Sequence, residues 1–191
     1  MGENGHDPRI AANFLLEARW FIGLSTTQIE LQKLLFFAHE ALLLQGRRKL
    51  VTGYFEAWKY GPVHPVLYKS FCRFKGRPIE EMAHGRDLLT GFPRIIPQLA
   101  DIEARRHITE TVARYSRMSA RELIDMSHLP GGPWATTVQK ANESVVVGMR
   151  ITDEVILKAR PHRTLMREGQ RAPVQKEKPL DEAPLARNRS G

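Results

Sequence analysis

The sequence predicts a mostly α-helical α+β fold: a compact helical domain with a small β-hairpin, followed by a disordered basic tail. Three observations carry this expectation. A run from Thr27 to Gly46 opens with a capping signal and is apolar nearly all round. A strand-like run from Tyr54 to Trp58 stops at Gly61-Pro62. Beyond Pro161 large apolar residues become scarce and Arg163, Arg167, Arg171, Lys176, Lys178, Arg187 and Arg189 alternate with prolines, a composition that cannot offset the entropy of ordering. Residues 8–160 are therefore expected to form the domain and 161–191 the tail.

The elements follow in order. A first helix begins at Pro8, because proline's fixed φ and missing N–H suit the first helical turn. Its apolar positions are Ile10, Phe14 and Phe21 with Leu15, Ala18 and Ile22, and Gly23 breaks it. Thr27 and Glu30 form a T-x-x-E capping box for the second helix. Leu31, Leu34, Leu35, Ala38 and Leu42 make one apolar face, and Phe36, Phe37, Leu43 and Leu44 extend it, as expected of a buried central helix. Leu50 to Trp58 reads as a hairpin turning near Thr52-Gly53. Trp58 and Tyr60 alternate onto one face, Ala57 and Lys59 onto the other. Gly61 and Pro62 end the strand, and a third helix runs from Pro65 to Phe74. Gly76 to Pro97 is broken by Pro78, Gly85, Gly91 and Pro93 and reads as a long irregular loop. A fourth helix covers Leu99 to Tyr115, with Ala104, Ile108, Val112 and Tyr115 on one face. Ser119 and Glu122 form a second capping box, opening a fifth helix that ends near Met126. The segment from His128 to Trp134 reads as a tight turn delivering a tryptophan. Val145-Val146-Val147 reads as a short strand, and Thr152 as the cap of a last helix with Asp153 and Glu154 in its first turn.

Charge narrows the functional classes. Across 191 residues the net charge is +8 and the pI about 9.9, which favours an acidic partner, either nucleic acid or an acidic protein surface. The alternative is that the charge sits on the tail without a specific role. Arg47-Arg48-Lys49 and Arg105-Arg106 are the candidate basic stripe for a nucleic-acid-binding regulator, but no reading motif accompanies them. Cys72 is the sole cysteine, so no intramolecular disulfide forms and a multi-cysteine zinc site is excluded, in keeping with a cytoplasmic protein. The first residues carry neither a basic nor an apolar leader pattern. The greasiest run, Leu34 to Leu44, is too short and too polar to span a membrane.

No enzyme signature is present. His39-Glu40 begins like a zinc-protease helix, but Leu43 stands where its second histidine belongs. Ser127 and His128 are chain neighbours without an orienting acid. Neither a cofactor nor a metal is implied. His39 reads as a hydrogen-bonded core histidine. His64 either caps the third helix or faces a partner, and His128 fixes its loop. Trp58 reads as scaffold more than contact, while Lys59 and Tyr68 are the better contact residues.

Two motifs carry a family resemblance. Leu31-Gln32-Lys33-Leu34-Leu35-Phe36-Phe37-Ala38 precedes Phe55-Glu56-Ala57-Trp58-Lys59-Tyr60-Gly61-Pro62-Val63, with Pro65 and Tyr68 following. Together with Ser127-His128 and Pro133-Trp134 they resemble the Panacea domain of SocA-like antitoxins and phage-associated GepA-like proteins. The resemblance implies a type II toxin–antitoxin role: a non-enzymatic protein that binds and neutralises a cognate protein toxin, for SocA-like members as a proteolytic adaptor that presents it to the ClpXP protease. On this reading Gln32, Lys33, Trp58, Gly61, Pro62 and Trp134 are the structural motif. Lys59, Tyr60, His64 and Tyr68 are the expected toxin-contact residues.

Overall fold

The computed structural model describes residues 5–46, 48–87, 89–143 and 149–159. In chain order the elements are α1 (Pro8–Phe21), α2 (Gln28–Gly46), β1 (Phe55–Trp58), β2 (Gly61–Val63), α3 (Pro65–Phe71) with a following 3-10 turn (Cys72–Phe74), β3 (Gly85–Arg86), β4 (Pro93–Arg94), α4 (Ile102–Tyr115), α5 (Ala120–Ser127), α6 (Pro133–Glu143), β5 (Arg150–Ile151) and α7 (Asp153–Lys158). This is the mostly helical α+β arrangement expected. The predicted strand at Val145–Val147 and the tail from 161 lie outside the described residues.

Helix α2 is the axis of the fold. Every residue from Leu31 to Glu40 is buried, because α1, α4, α5, α7 and β2 pack around it. The Thr27–Glu30 box forms: Thr27 N–H donates to Glu30 Oε2 at 2.7 Å and Glu30 N–H to Thr27 Oγ1 at 3.4 Å. The box at Ser119 and Glu122 forms in the same reciprocal way. Thr152 caps α7 by accepting from Val155 N–H. Each box answers two of the orphan N–H groups that any helix start leaves.

Helix α1 is capped by Asp7 and begins with Pro8 as expected, and Ile10, Phe14, Leu15 and Ala18 pack on the core as expected, but Phe21 and Ile22 do not. Ala11, Ala12, Leu15, Leu16 and Arg19 are buried, while Phe21 is 93 % exposed and Ile22 is also exposed. Two small alanines let α1 approach its neighbours closely. Arg19 is admitted to the interior because its Nη2 and Nε donate to Ser25 O (2.7 Å) and Thr26 Oγ1 (3.1 Å).

The hairpin differs from expectation in two ways. Its turn is Lys59-Tyr60, and its strands are β1 and β2, with Trp58 opposite Gly61 and Glu56 opposite Val63. Gly61 and Pro62 therefore extend the sheet instead of ending it. Pro62 is tolerated because β2 is the edge of the order β2-β1-β5, where its missing N–H breaks no second ladder. Leu50-Val51 takes another partner. His6 N–H donates to Leu50 O at 2.9 Å and Thr52 N–H to His6 O at 2.8 Å, so Val51 forms a parallel bridge with His6. Along β1, Phe55 and Ala57 point into the core and Glu56 and Trp58 do not, so the Ala57 face is the core side of the strand.

The remaining corrections are smaller. Gly76 to Pro97 is mostly irregular but contains the short antiparallel pair β3–β4. The turn after His128 leads directly into α6, where the sequence predicts no helix. Among the described residues no helix is long and apolar enough to cross a membrane.

Candidate functional site: a clamped aromatic corner

Three side chains fasten hairpin β1–β2 to the helices through its backbone. From α2, Gln32 Oε1 accepts from His64 N–H at 2.8 Å while its Nε2 donates to His64 O at 3.4 Å. One residue later, Lys33 Nζ donates to Pro62 O at 2.9 Å. From α6, Trp134 Nε1–H donates to Trp58 O at 2.9 Å. Carbonyls before and after the turn are thus both held by distant elements. Gly61 lies where these parts converge. Its φ is 95°, and a Cβ there would fall 2.3 Å from Ser127 Oγ and 2.9 Å from Lys33 Cε. Only glycine meets both demands.

Lys33 is the unusual group. It is 1 % exposed, and among the described residues no ion pair accompanies its one hydrogen bond. Burial pushes its pKa down to about 7, since a charge taken from water without a counter-ion is destabilised. Its amine remains a donor to Pro62 O in either protonation state. The His128 and Trp134 rings meet at a tilt of 52°, their centroids 3.9 Å apart. Burial first, and then the charge of Lys33, push the His128 pKa down to about 4.

On its outer side the corner carries a small groove of about 40 Å³. Trp58 and Tyr68 wall it, their rings 4.8 Å apart, with Tyr60, Ile29 and Val63 completing the apolar lining. The buried Gln28, Gln32 and Lys33 also line it. Gln28 Nε2 donates to Tyr68 O at 3.2 Å, which fixes the amide orientation and leaves Oε1 buried without a partner among the described residues. Lys59 stands exposed at the rim, its Nζ 5.2 Å from the Tyr60 ring centroid. Aromatic walls with a cation at the edge suit capture of a protein side chain.

Of the expected contact residues, the structure brings Lys59, Tyr60 and Tyr68 onto this one groove. His64 is not among them. It is buried, makes no side-chain cap for α3, and donates from Nε2 to Thr52 O at 2.9 Å. The carbonyl opposite accepts only, so the proton sits on Nε2. Trp58, expected as scaffold, is half-buried and forms a wall, with its Nε1–H on Glu56 Oε2 at 2.8 Å. Gln28 and Ile29 were missed. The signal was available: they stand four residues before Gln32 and Lys33, one helical turn along the same face.

The other candidate chemistries find no convergence. His39 and His64 both pack edge-on against Phe55, at 5.4 and 5.2 Å, while His128 sits on Trp134. His39 is the buried histidine expected, accepting at Nδ1 from Val51 N–H at 3.4 Å. Among the described residues no group of three or more His, Cys, Asp or Glu side chains is placed to hold a metal. The basic runs are engaged internally. Arg48 bonds Asp101 and Glu103 at 2.7 Å each, Lys49 pairs with Asp153 at 2.8 Å and Arg106 with Glu110 at 3.1 Å. Arg105 lies over the Phe14 ring at 4.8 Å. Arg47 is outside the described residues.

Comparison with known proteins identifies the family. The family model described as Antitoxin SocA-like, Panacea domain, matches residues 31–135, a span that contains Gln32, Lys33, the whole hairpin and Trp134. Antitoxin SocA of Caulobacter vibrioides is 38 % identical over 150 residues, covering 78 % of this chain and 80 % of that protein. No solved structure matches. The matched span includes the three clamping residues Gln32, Lys33 and Trp134, and the chain belongs to the SocA-like antitoxin family, Panacea domain.

Proposed function

We propose that this protein is the antitoxin of a type II toxin–antitoxin pair and neutralises a cognate protein toxin by binding it at the aromatic corner. Family membership supports the antitoxin role. The observation that carries the location is the groove of Trp58, Tyr60 and Tyr68, with Lys59 at its rim, on a hairpin tied down at Trp58 O, Pro62 O and His64. A surface held in this way loses little freedom on binding, so its contacts are not offset by ordering costs. The protein acts without chemistry of its own, in the cytoplasm with its toxin.

The test is co-expression with the product of the adjacent open reading frame. Lys59→Ala, Tyr60→Ala and Tyr68→Ala are expected to fold normally and lose protection, the aromatic changes each weakening toxin binding by about 2 kcal/mol. Full protection by all three variants would overturn the location. His64→Ala is a control for stability, because that side chain is buried.

In its fuller form the proposal has the protein deliver the toxin to the ClpXP protease. Its support is the family resemblance. Truncation after Arg160 is expected to preserve toxin binding and lengthen the toxin's half-life. An unchanged half-life would remove the tail from this step.

A further inference from the structure

On the other side of α3 lies an open groove of about 690 Å³, bounded by the start of α1 and the β3–β4 hairpin. It shares no lining residue with the aromatic corner. Arg9, Lys69, Arg73 and Arg86 line it, with His84 and Glu81. Two of the four cations are already satisfied: Arg9 by Asp7 and Arg73 by Glu81, each at 2.6 Å. Lys69 and Arg86 have no ion pair among the described residues. The groove therefore presents two exposed and uncompensated positive charges.

The β3–β4 hairpin, whose Gly91 and Pro93 line the groove, carries apolar residues that the core does not cover. Within seven residues of the β3–β4 segment, Leu89 is 96 %, Phe92 70 % and Ile95 85 % exposed. Val66 on α3 lines the groove and is also exposed. Single exposed apolar residues are ordinary, but several together beside a charged groove mark an interaction surface. The combination selects the partner's chemistry. Nucleic-acid interfaces are polar and strongly charged, and aliphatic side chains such as Leu89 and Ile95 find little to pack on there. A protein segment with carboxylates and apolar side chains satisfies both features.

We propose that this groove docks an acidic, amphipathic segment of a second protein, its carboxylates on Lys69 and Arg86 and its apolar side chains on Leu89, Phe92 and Ile95. The site is independent of the toxin-binding corner, so the protein carries two separate docking faces on either side of α3.

The experiment is fluorescence anisotropy with the full chain and a labelled synthetic peptide in which Glu and Asp are interspersed with Leu and Phe. Binding is expected to weaken as salt rises. The double variant Lys69→Glu/Arg86→Glu should lose at least about tenfold in affinity, and Leu89→Ser/Phe92→Ser several-fold. Thermal unfolding should be unchanged in both, because all four side chains are exposed. Tyr68→Ala should bind the peptide like the wild type, which separates this site from the corner. Any of four results overturns the proposal: no binding of the peptide; wild-type binding by both double variants; equal binding of an all-glutamate peptide, which would show charge alone; or tighter binding of a DNA oligonucleotide that the same variants abolish.

Discussion

Hairpin β1–β2 is fastened to α2 and α6 by Gln32, Lys33 and Trp134, whereas hairpin β3–β4 is closed mainly by its own loop. In the second, Asp87 Oδ1 accepts from Leu89 N–H, Thr90 N–H and Thr90 Oγ1 at 2.8–3.0 Å, an Asx arrangement that needs no other part of the protein. The first buries Gly61, Pro62 and Val63, and the second leaves Leu89, Phe92 and Ile95 in solvent. A hairpin held by long-range bonds is a fixed surface whose sequence is dictated by what lies beneath it. One held by local bonds keeps its shape while its outward residues are free to suit a partner.

The contrast is broken most directly at glycine. Gly61→Ala places a Cβ into Ser127 and Lys33 at a φ of 95°. Backbone strain and overpacking of this kind each cost about 1–3 kcal/mol, so a loss of roughly 3–5 kcal/mol is expected in denaturant unfolding. A loss under about 1 kcal/mol would show that the corner yields, and the fixed-surface reading would fail.

The next effect concerns Lys33. Its folded pKa of about 7 lies below the ordinary lysine value of 10.5, so between those limits the unfolded chain binds more protons. Stability contributed here is fully present above 10.5 and is lost as pH falls toward 7. Between pH 7 and pH 10 the wild type should gain roughly 3 kcal/mol relative to Lys33→Met, measured as paired urea midpoints. His128 acts in the same direction lower down: its contribution is present above 6.5 and lost as pH falls toward about 4. A pH-independent difference between wild type and Lys33→Met would mean that Lys33 reaches water.

How much of this was legible in the sequence depended on distance along the chain. Both capping boxes and the Thr152 cap were legible because donor and acceptor stand three residues apart. Burial of α2 was legible because it is apolar on nearly every side. Lys33 was recognised only as part of a motif, since a lysine in an apolar helix ordinarily extends to the surface, and its carbonyl partner Pro62 is 29 residues away. The hairpin turn was misplaced for the same reason: Leu50-Val51 looks like half of a hairpin until His6 is seen to be its partner. Phe21 was assigned inward because large apolar residues dominate a periodicity count, whereas the closely packed face of α1 uses alanines. Helix α6 was hidden by its polar run of Thr136, Thr137 and Gln139 behind the break at Gly131-Gly132-Pro133. Lys59, Tyr60 and Tyr68 share one groove because the motif sets them close along the chain, whereas His64 is buried because its acceptor, Thr52, belongs to a separate loop.

A smaller effect is expected at Trp134. Trp134→Phe keeps a ring beside His128 but removes the donor to Trp58 O. One lost hydrogen bond predicts a cost of about 1–2 kcal/mol. The more discriminating readout is amide exchange, which should accelerate in β1 and the Lys59-Tyr60 turn ahead of α2. Uniform acceleration across the domain would mean that Trp134 supports general packing and not the corner.

The smallest effect is the counterpart that gives the first its meaning. Gly85 in β3 does not adopt a positive φ, and a Cβ there would meet Arg94 O at 3.5 Å and Ile96 Cγ1 at 3.7 Å, ordinary contact distances. Gly85→Ala should therefore change stability by no more than about 0.5 kcal/mol, with reduced freedom of the unfolded chain favouring the variant. The same substitution in two hairpins of one protein is thus expected to differ by several kcal/mol. If Gly85→Ala also costs more than about 1 kcal/mol, β3–β4 is coupled to the core beyond the bonds described, and its exposed apolar residues serve the fold before they serve a partner. If it does not, β3–β4 is held by its local bonds, in contrast to the clamped β1–β2.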